Sequence, residues 1–358
     1  MSVLGIVWSV MILSYLGSKQ TLLPCLKQVI SPIIKQHGGK ERCVFGDLFG
    51  GTCIVANTFK NEVRTMVAND MELYSYVLGK SLLTTVYTPK LARIIDHLNS
   101  PAIKPVRGLM WRNFTPKCGR MFFTQDNGMR IDAIRLAICK LFEQKKVTYK
   151  EFLFLLGSLM ATVSRYSNTS GTFRAYLKSF CTRSLRRFKL APIHTNRQLD
   201  SRHYMIKNNV TRVAQTMRFD VVYLDPPYNT AHYGAYYSLL NYLCLYNKNV
   251  QLGGVGVMKN YNRSEFGYLK TAKQKFDELI KSINAKHIIM SYNDNAVLPC
   301  HEIIHLMKQR GNVTLYKIWH KNYKPNKGIK SDHVKEYIFV LECTEQPTNS
   351  FKQCWLKL

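Results

Sequence analysis

Asp225-Pro226-Pro227-Tyr228 places a carboxylate, two prolines and an aromatic ring directly after a run of β-formers. The run 220–224 reads as a buried strand, and proline stops it because its nitrogen cannot donate to a ladder. Asp225 then stands at the strand's carboxyl end, where open α/β sheets bind their ligands. The missing N–H donors leave carbonyls free to face a ligand, that of Pro226 among them. Tyr228 adds a flat π-face. A carboxylate and a carbonyl accept two N–H bonds, and a ring stacks. The set suits a grip on the exocyclic amine of a flat heterocycle.

Two more acids stand at predicted strand ends. The stretch 42–56 contains Asp47-Leu48-Phe49-Gly50-Gly51 and reads as strand, acid, glycine turn and helix. Glycines at such a turn let backbone approach a ligand closely, and Asp47 could hold an amine. A tight turn with no ligand would read the same way. A second strand over 64–68 leads to Asn69-Asp70, 23 residues beyond Asp47. An acid there is placed for ribose hydroxyls. The two units together read as a pocket for an adenosine-type cofactor. Upstream, Tyr15-Leu16-Gly17-Ser18-Lys19 permits a tight turn and a lysine able to reach a carboxylate.

The elements that must carry these residues are legible in outline. An amphipathic helix is expected over 22–34, interrupted near Pro32, and another over 71–83. Ile131, Ile134, Ile138, Leu141 and Phe142 keep a helical period. Thr148-Tyr149-Lys150-Glu151 is a capping box before the apolar run 152–163. The Tyr-rich stretch 229–237 reads as a lid, followed by a helix near 236–246. Beyond it come a helix over 264–283, a strand over 287–292, and a helix over 299–309 with Gly311 as its C-cap. Two final strands, 313–319 and 336–342, read as a hairpin across the basic loop 321–330.

The chain has 358 residues and a net charge of +29. A charge of that size points to a polyanionic partner, with nucleic acid first. It is concentrated between 101 and 218, where Lys and Arg outnumber Asp and Glu 23 to 5 and aromatics are interleaved. There the polar loop 167–172 and Arg174, Arg183, Arg186 and Arg187 suit phosphate contacts, with Asn168 free for a base edge. Solvated helical faces would also use many of these charges. The ten cysteines show no C-x-x-C spacing. That argues against zinc ribbons and a disulfide framework and for reduced thiols in an intracellular setting, cytoplasmic or nucleoid-associated. The apolar start, 3–16, lacks a basic flank and is too short to span a bilayer, so no membrane partner is expected. Met11 is read as the start of translation in preference to Met1.

His301-Glu302-Ile303-Ile304-His305 matches the H-E-x-x-H zinc pattern, which would make a metalloprotease of the chain. No third ligand follows on a predicted helix. An ordinary amphipathic helix, with Ile304 and Met307 inward and no metal, is the preferred reading.

The order of Tyr15–Lys19, Asp47–Gly51, Asn69-Asp70, a basic insert and Asp225–Tyr228 resembles the adenine-specific (N6) DNA methyltransferases of the deoxyadenosine methylase type. The resemblance runs from Met11 to about Glu342. The stretches 122–132 and 167–173 and Ser291-Tyr292-Asn293 look similar to restriction-modification members. The resemblance implies an α/β fold: a Rossmann-like methyltransferase sheet with an inserted, mainly helical DNA target-recognition region. The parts would be 11–100 for the cofactor, 101–218 for DNA and 219–345 for catalysis.

It also implies S-adenosylmethionine as cofactor. Tyr15, Lys19 and Gly51 would border its methionine end, Asp47 its amino group and Asp70 its ribose. Asp225, Pro226 and Tyr228 would hold an adenine flipped from duplex DNA, with Asp225 also near the cofactor. A monomer is implied, with a cognate restriction endonuclease as a possible partner. Cys53 departs from the pattern, since the family's turn usually carries glycine there; its side chain would approach the methionine moiety. A catalytically impaired DNA-binding relative is therefore one alternative. Methylation of cytosine N4 is another, though that chemistry prefers Ser to Asp in this position.

Overall fold

The β-branched and aromatic runs become strands of one mixed sheet in the computed structural model, which describes residues 13–194, 196, 199, 202–227, 232–294, 296–321, 333–344 and 351–356. Its strands are β1 (Val44–Asp47), β2 (Thr65–Asp70), β3 (Tyr204–Lys207), β4 (Arg218–Leu224), β5 (Asn284–Asn293), β6 (Gly311–Lys321), β7 (His333–Cys343) and β8 (Phe351–Leu356). They lie in the order β3-β2-β1-β4-β5-β7-β6-β8. The first five are parallel, and β7 runs antiparallel between β5 and β6. The sheet is Rossmann-like, with a folded-back hairpin where the doubly wound order has one strand. The chain leaves β1 toward β2 and β3, then crosses to β4. That switch point pairs Asp47 with Tyr223 and brings Asp47 and Asp225 to neighbouring carboxyl ends. In β4, Val221 and Tyr223 enter one core, while Val222 and Leu224 enter the other. Burial on both faces explains the unbroken apolar run.

The first core is built by α1 (Leu23–Gln36), the short α2 (Gly39–Arg42) beside it, α3 (Ile54–Phe59) and α4 (Leu73–Thr84), followed by inserted helices. These are α5 (Pro89–Asn99), α6 (Leu109–Phe114), α7 (Gln125–Glu143), α8 (Tyr149–Tyr166) and α9 (Thr182–Leu185). The chain returns through β3 and α10 (Val210–Thr216). After β4 come α11 (Tyr233–Tyr236), α12 (Ser238–Leu245), α13 (Leu269–Ser282) and α14 (Cys300–Lys308). Residues of α10, α13 and α14 fill the second core.

Several expectations change. Pro32 does not interrupt α1: the helix continues to Gln36. Proline removes the bond to the carbonyl of residue 28, and Gln28 is exposed, so water can satisfy that group. Gly311 is not a C-cap; it opens β6, where a β-carbon would strike the Glu342 carbonyl. The helix expected from 264 starts at Leu269, after a 3₁₀ turn that the Ser264 hydroxyl caps. Strands β3 and β8 have no counterpart among the expected elements. Because β3 pairs with β2, and α10 packs beside it, the stretch 101–218 holds part of the sheet as well as helices.

The capping box at α8 forms, with Glu151 Oε2 accepting from Thr148 N at 2.7 Å. The insertion begins and ends at a narrow neck, where Tyr87 N donates to Asn196 O at 2.8 Å. Arg135 ties it to the segment after β4 by donating to the Leu243 and Cys244 carbonyls at the end of α12. Helix α8 crosses α4 closely at Gly157, where an added β-carbon would collide with the Ser81 hydroxyl. That hydroxyl lies 2.7 Å from Val77 O and 2.9 Å from Leu153 O, so it cannot turn aside freely. Gly157→Ala is expected to lower stability by about 1–3 kcal/mol despite better helix propensity. Adding Ser81→Ala should recover part of the loss. Urea midpoints of the single and double variants measure both effects.

Candidate active site

The carboxyl ends of β1, β2 and β4 open into one cleft. Lys19 Nζ lies 2.7 Å from Asp225 Oδ1, and the lysine side chain is almost fully buried. Gly17 reaches it through a positive φ of 72°, and the Ser18 hydroxyl accepts from Gln20 N at 3.4 Å to cap the turn. The loop is stitched to the lid, with Leu16 N donating to Tyr237 Oη at 2.7 Å and Tyr233 Oη donating to Leu16 O at 3.2 Å. Tyr15 stacks on Tyr237, with ring centroids 4.5 Å apart. Gly51 makes room for that ring: it has φ 53°, and a β-carbon there would come within 3.1 Å of Tyr15 Oη. Gly51 N donates to Asp70 Oδ2 at 2.7 Å, which locks the glycine turn onto the end of β2.

Cys53 does not approach the cleft. It takes a left-handed conformation at the start of α3, and its Sγ points into the core, 3.9 Å from both Ser75 O and Met205 Sδ. Gly79 makes space for it, since a β-carbon there would fall 2.9 Å from the sulfur. The expectation of a cysteine beside the ligand is therefore corrected by the direction of its Cα–Cβ bond.

The cleft is strongly acidic. Asp47 Oδ2 accepts from Ala56 N at 3.1 Å, while its buried Oδ1 has no hydrogen-bond partner among the described residues. Burial pushes this carboxyl up to about 7, and the neighbouring Asp225 and Asp70 add to the shift. Asp70 is raised by burial too, although Glu72 N and Gly51 N stabilise its charge. Burial takes Glu72 up to about 7 against a 2.5 Å bond from Asn241 Nδ2. Burial also raises Asp225, while Lys19 and Ser291 pull it back. Around these acids, Phe49, Ile54, Val55, Val210 and Phe266 supply apolar wall. Carboxylates for amine and hydroxyl groups beside an apolar slot suit a cationic, ring-bearing ligand.

Tyr15, Lys19, Asp47, Gly51, Asp70 and Asp225 thus come together in this cleft. Pro226 is buried directly after β4, and Tyr228 lies outside the described residues. Glu72, Asn209, Tyr233 and Phe266 also line the cleft, and nothing in the motif reading singles them out. Glu72, two residues beyond a recognised acid, carries a usable signal. Asn209 carries none, because it follows a strand too short to recognise.

In the insertion, Asn168 is not free for a base. It is fully buried, donating to Met121 O at 2.9 Å and Leu177 O at 3.0 Å and accepting from Cys181 N at 2.9 Å. Its polarity holds a loop together. Arg183 is exposed, yet donates to the Ser167 and Thr169 carbonyls of that loop. Arg174 is exposed and stands over the Tyr236 ring at 5.4 Å, while Arg186 and Arg187 are exposed. On α14, His301 and His305 face solvent, and Glu302 pairs with Lys273 at 2.8 Å. No cluster of three metal-binding side chains occurs among the described residues. No helix among them is long and apolar enough to cross a membrane.

Residues 15–295 match the family described as D12 class N6 adenine-specific DNA methyltransferase. The chain is 32% identical to the type II methyltransferase M.CviAII of Paramecium bursaria Chlorella virus 1, over 92% of this chain and 98% of that protein. It is 29% identical to M.NlaIII of Neisseria lactamica, over 93% of this chain and 100% of that one. M.FokI of Planomicrobium okeanokoites is 30% identical, over 94% of this chain but 54% of that longer protein.

Asp47 gives the free protein a measurable pH dependence. Its carboxyl titrates near 7 when folded and near 3.8 as an ordinary aspartate. The fold therefore favours the protonated form. That contribution is complete below about pH 4 and is lost as pH rises through about 7. Asp47→Asn is expected to flatten this part of the stability curve, read from urea midpoints between about pH 4 and pH 8. An unchanged slope would contradict the assignment.

Proposed function

Since the chain belongs to the D12 class of N6 adenine-specific DNA methyltransferases, we propose that it methylates adenine N6 in a specific duplex sequence, with S-adenosylmethionine as donor and the target base flipped out. The observation that carries this reading is the meeting of Asp47, Asp70 and the Lys19–Asp225 pair in one cleft at the switch point. The residues fit the cofactor. The buried, unbonded Oδ1 of Asp47 suits its ammonium group. Asp70 and Glu72 suit ribose hydroxyls, and the slot beside Val210 and Phe266 suits an adenine ring. Tyr15, Lys19 and Gly51 border the methionine end. The cofactor supplies an electrophilic methyl group.

The protein's part is positional. Adenine's amine is a poor nucleophile because its lone pair is delocalised into the ring. Asp225 and the Pro226 carbonyl accept its two N–H bonds and favour a pyramidal nitrogen, which frees the lone pair. Asp225 also stands where the departing N6 proton can be held. Such positioning and fixed electrostatics supply most of the rate. Tyr228 stacks on the flipped base, since the amine cannot be reached inside a duplex. Cys53 turns away from the cleft, which removes the feature that favoured an impaired relative.

The cofactor part is assigned to residues up to about 100 and the catalytic part to 219–345. The helical insertion, ending near the neck that precedes β3, is the DNA-recognition region. Arg174, Arg183, Arg186 and Arg187 are its phosphate contacts. Relatives named as type II methyltransferases support a cognate restriction endonuclease as partner; the reading is completed by an intracellular monomer acting on DNA.

Methyl-labelled cofactor and adenine-containing duplex test the chemistry. Asp225→Ala should cut label transfer by roughly 10²–10³-fold or more while leaving DNA binding intact; labelling at the parental rate would refute the mechanism. Replacing Arg186 and Arg187 by Ala should weaken binding across all sequences. It should also lower the salt slope by about 1 for each phosphate no longer neutralised. An unchanged slope would remove these arginines from the interface.

A further inference from the structure

Beneath Asp225 lie two hydroxyls that no role yet claims. Tyr223 Oη and Ser291 Oγ are 2.5 Å apart, and both side chains are closed to solvent. The register of β4 and β5 sets Leu224 beside Met290, so Asp225 and Ser291 follow as neighbours. The Ser291 hydroxyl stands beside the Asp225 carboxylate and favours its charged form. Each hydroxyl owns one proton, and an ionised carboxylate can only accept. With Asp225 ionised, a Ser291 hydroxyl turned to it donates, and the Ser291 oxygen then accepts from Tyr223, which gives the direction Tyr223 to Ser291 to Asp225. Lys19 approaches the carboxylate at Oδ1.

We propose that Tyr223 and Ser291 are positioning residues for methyl transfer, holding Asp225 in one rotamer and in its ionised form through this one-way hydroxyl chain. The proposal rests on reading the cleft as a methyltransferase centre. In the transfer, N6 gains the methyl carbon and loses one proton to Asp225, and the electron pair of the breaking C–S bond stays on sulfur. Asp225 must be ionised to take that proton. A hydroxyl donor favours the charged form over the neutral one, and burial makes that bond stronger than it would be in water. Lys19 supplies charge, while the hydroxyl chain supplies direction. Neither hydroxyl needs to touch the base.

The test has one readout without turnover and one with it. In free protein carrying ¹³C-carboxyl aspartate, the Asp225 signal is assigned through Asp225→Asn and titrated. Ser291→Ala should raise its midpoint, roughly tenfold in proton affinity. The near-isosteric Tyr223→Phe should raise it less, with little change in packing. In turnover, Ser291→Ala should lower kcat roughly 10- to 100-fold and leave the KM for DNA within about twofold. The acidic limb of the kcat profile should move to higher pH in step with the midpoint. If midpoint and limb stay at parental positions in both variants, the chain is only structural, whatever happens to kcat. If the unaltered protein transfers no methyl group to adenine, the underlying reading fails, and the midpoint shift then reports only hydrogen bonding. A shift in free protein with no matching shift in turnover overturns the positioning role alone.

Discussion

The pairing of Lys19 with Asp225 is the interaction on which the cleft depends. The two residues lie far apart in the chain, one before β1 and the other directly after β4, and the lysine is almost wholly enclosed. Burying either charge alone would be costly, because neither would keep its water. Without the lysine, burial would push Asp225 further toward protonation, with the Ser291 hydroxyl alone against it. Without the acid, Lys19 would be an enclosed cation without its countercharge. The pair keeps the carboxylate able to accept and anchors the turn that carries Tyr15. The tyrosine stack, the room at Gly51 and the bond from Gly51 to Asp70 then follow from where that turn lies.

The charges of the molecule are sorted by place. In the insertion, two of the few acids are occupied internally. Asp132 accepts from Gly108, Met110 and Trp111 at the start of α6, and Glu151 closes the box at α8. Arg120, Arg130, Arg135 and Arg183 are spent the same way, on backbone carbonyls. The remainder project a positive field. The cleft is lined by five acidic side chains, Asp47, Asp70, Glu72, Asp225 and Glu265, against the cations Lys19 and Arg263. A phosphate chain is thus drawn to one region and repelled from the other, so only an uncharged or cationic group gains by entering.

The sequence exposed the cleft better than the insertion. Asp47, Asp70 and Asp225 were legible because acids that close apolar runs have few structural uses, and the sheet puts all three at carboxyl ends. Strand β3 was not, since four residues without a turn signal carry too little periodicity. The direction of Cys53 was hidden because it follows from a left-handed backbone and from the absence of a side chain at Gly79. Asn168 misled for a related reason. A polar residue in a polar loop reads as available, but its three bonds are to backbone groups far along the chain, which local sequence does not display. The helix through Pro32 depended on an exposed carbonyl that the amphipathic pattern alone did not weigh.

The neck at Tyr87 and Asn196 has a consequence for how such a protein can change over time. One backbone hydrogen bond closes more than a hundred residues into a loop whose two ends leave the sheet side by side. Lengthening a closed loop adds little entropic cost. The inner face of the insertion is held to the sheet side by a shared core, with α8 packed along α4 and Asn113, Asp132 and Arg135 bonded to α12 and Tyr246. Its outer face carries, among the described residues, no such tie to the strand order or to the acids at the switch point. Length and sequence can therefore vary on that outer face while the cleft stays as it is.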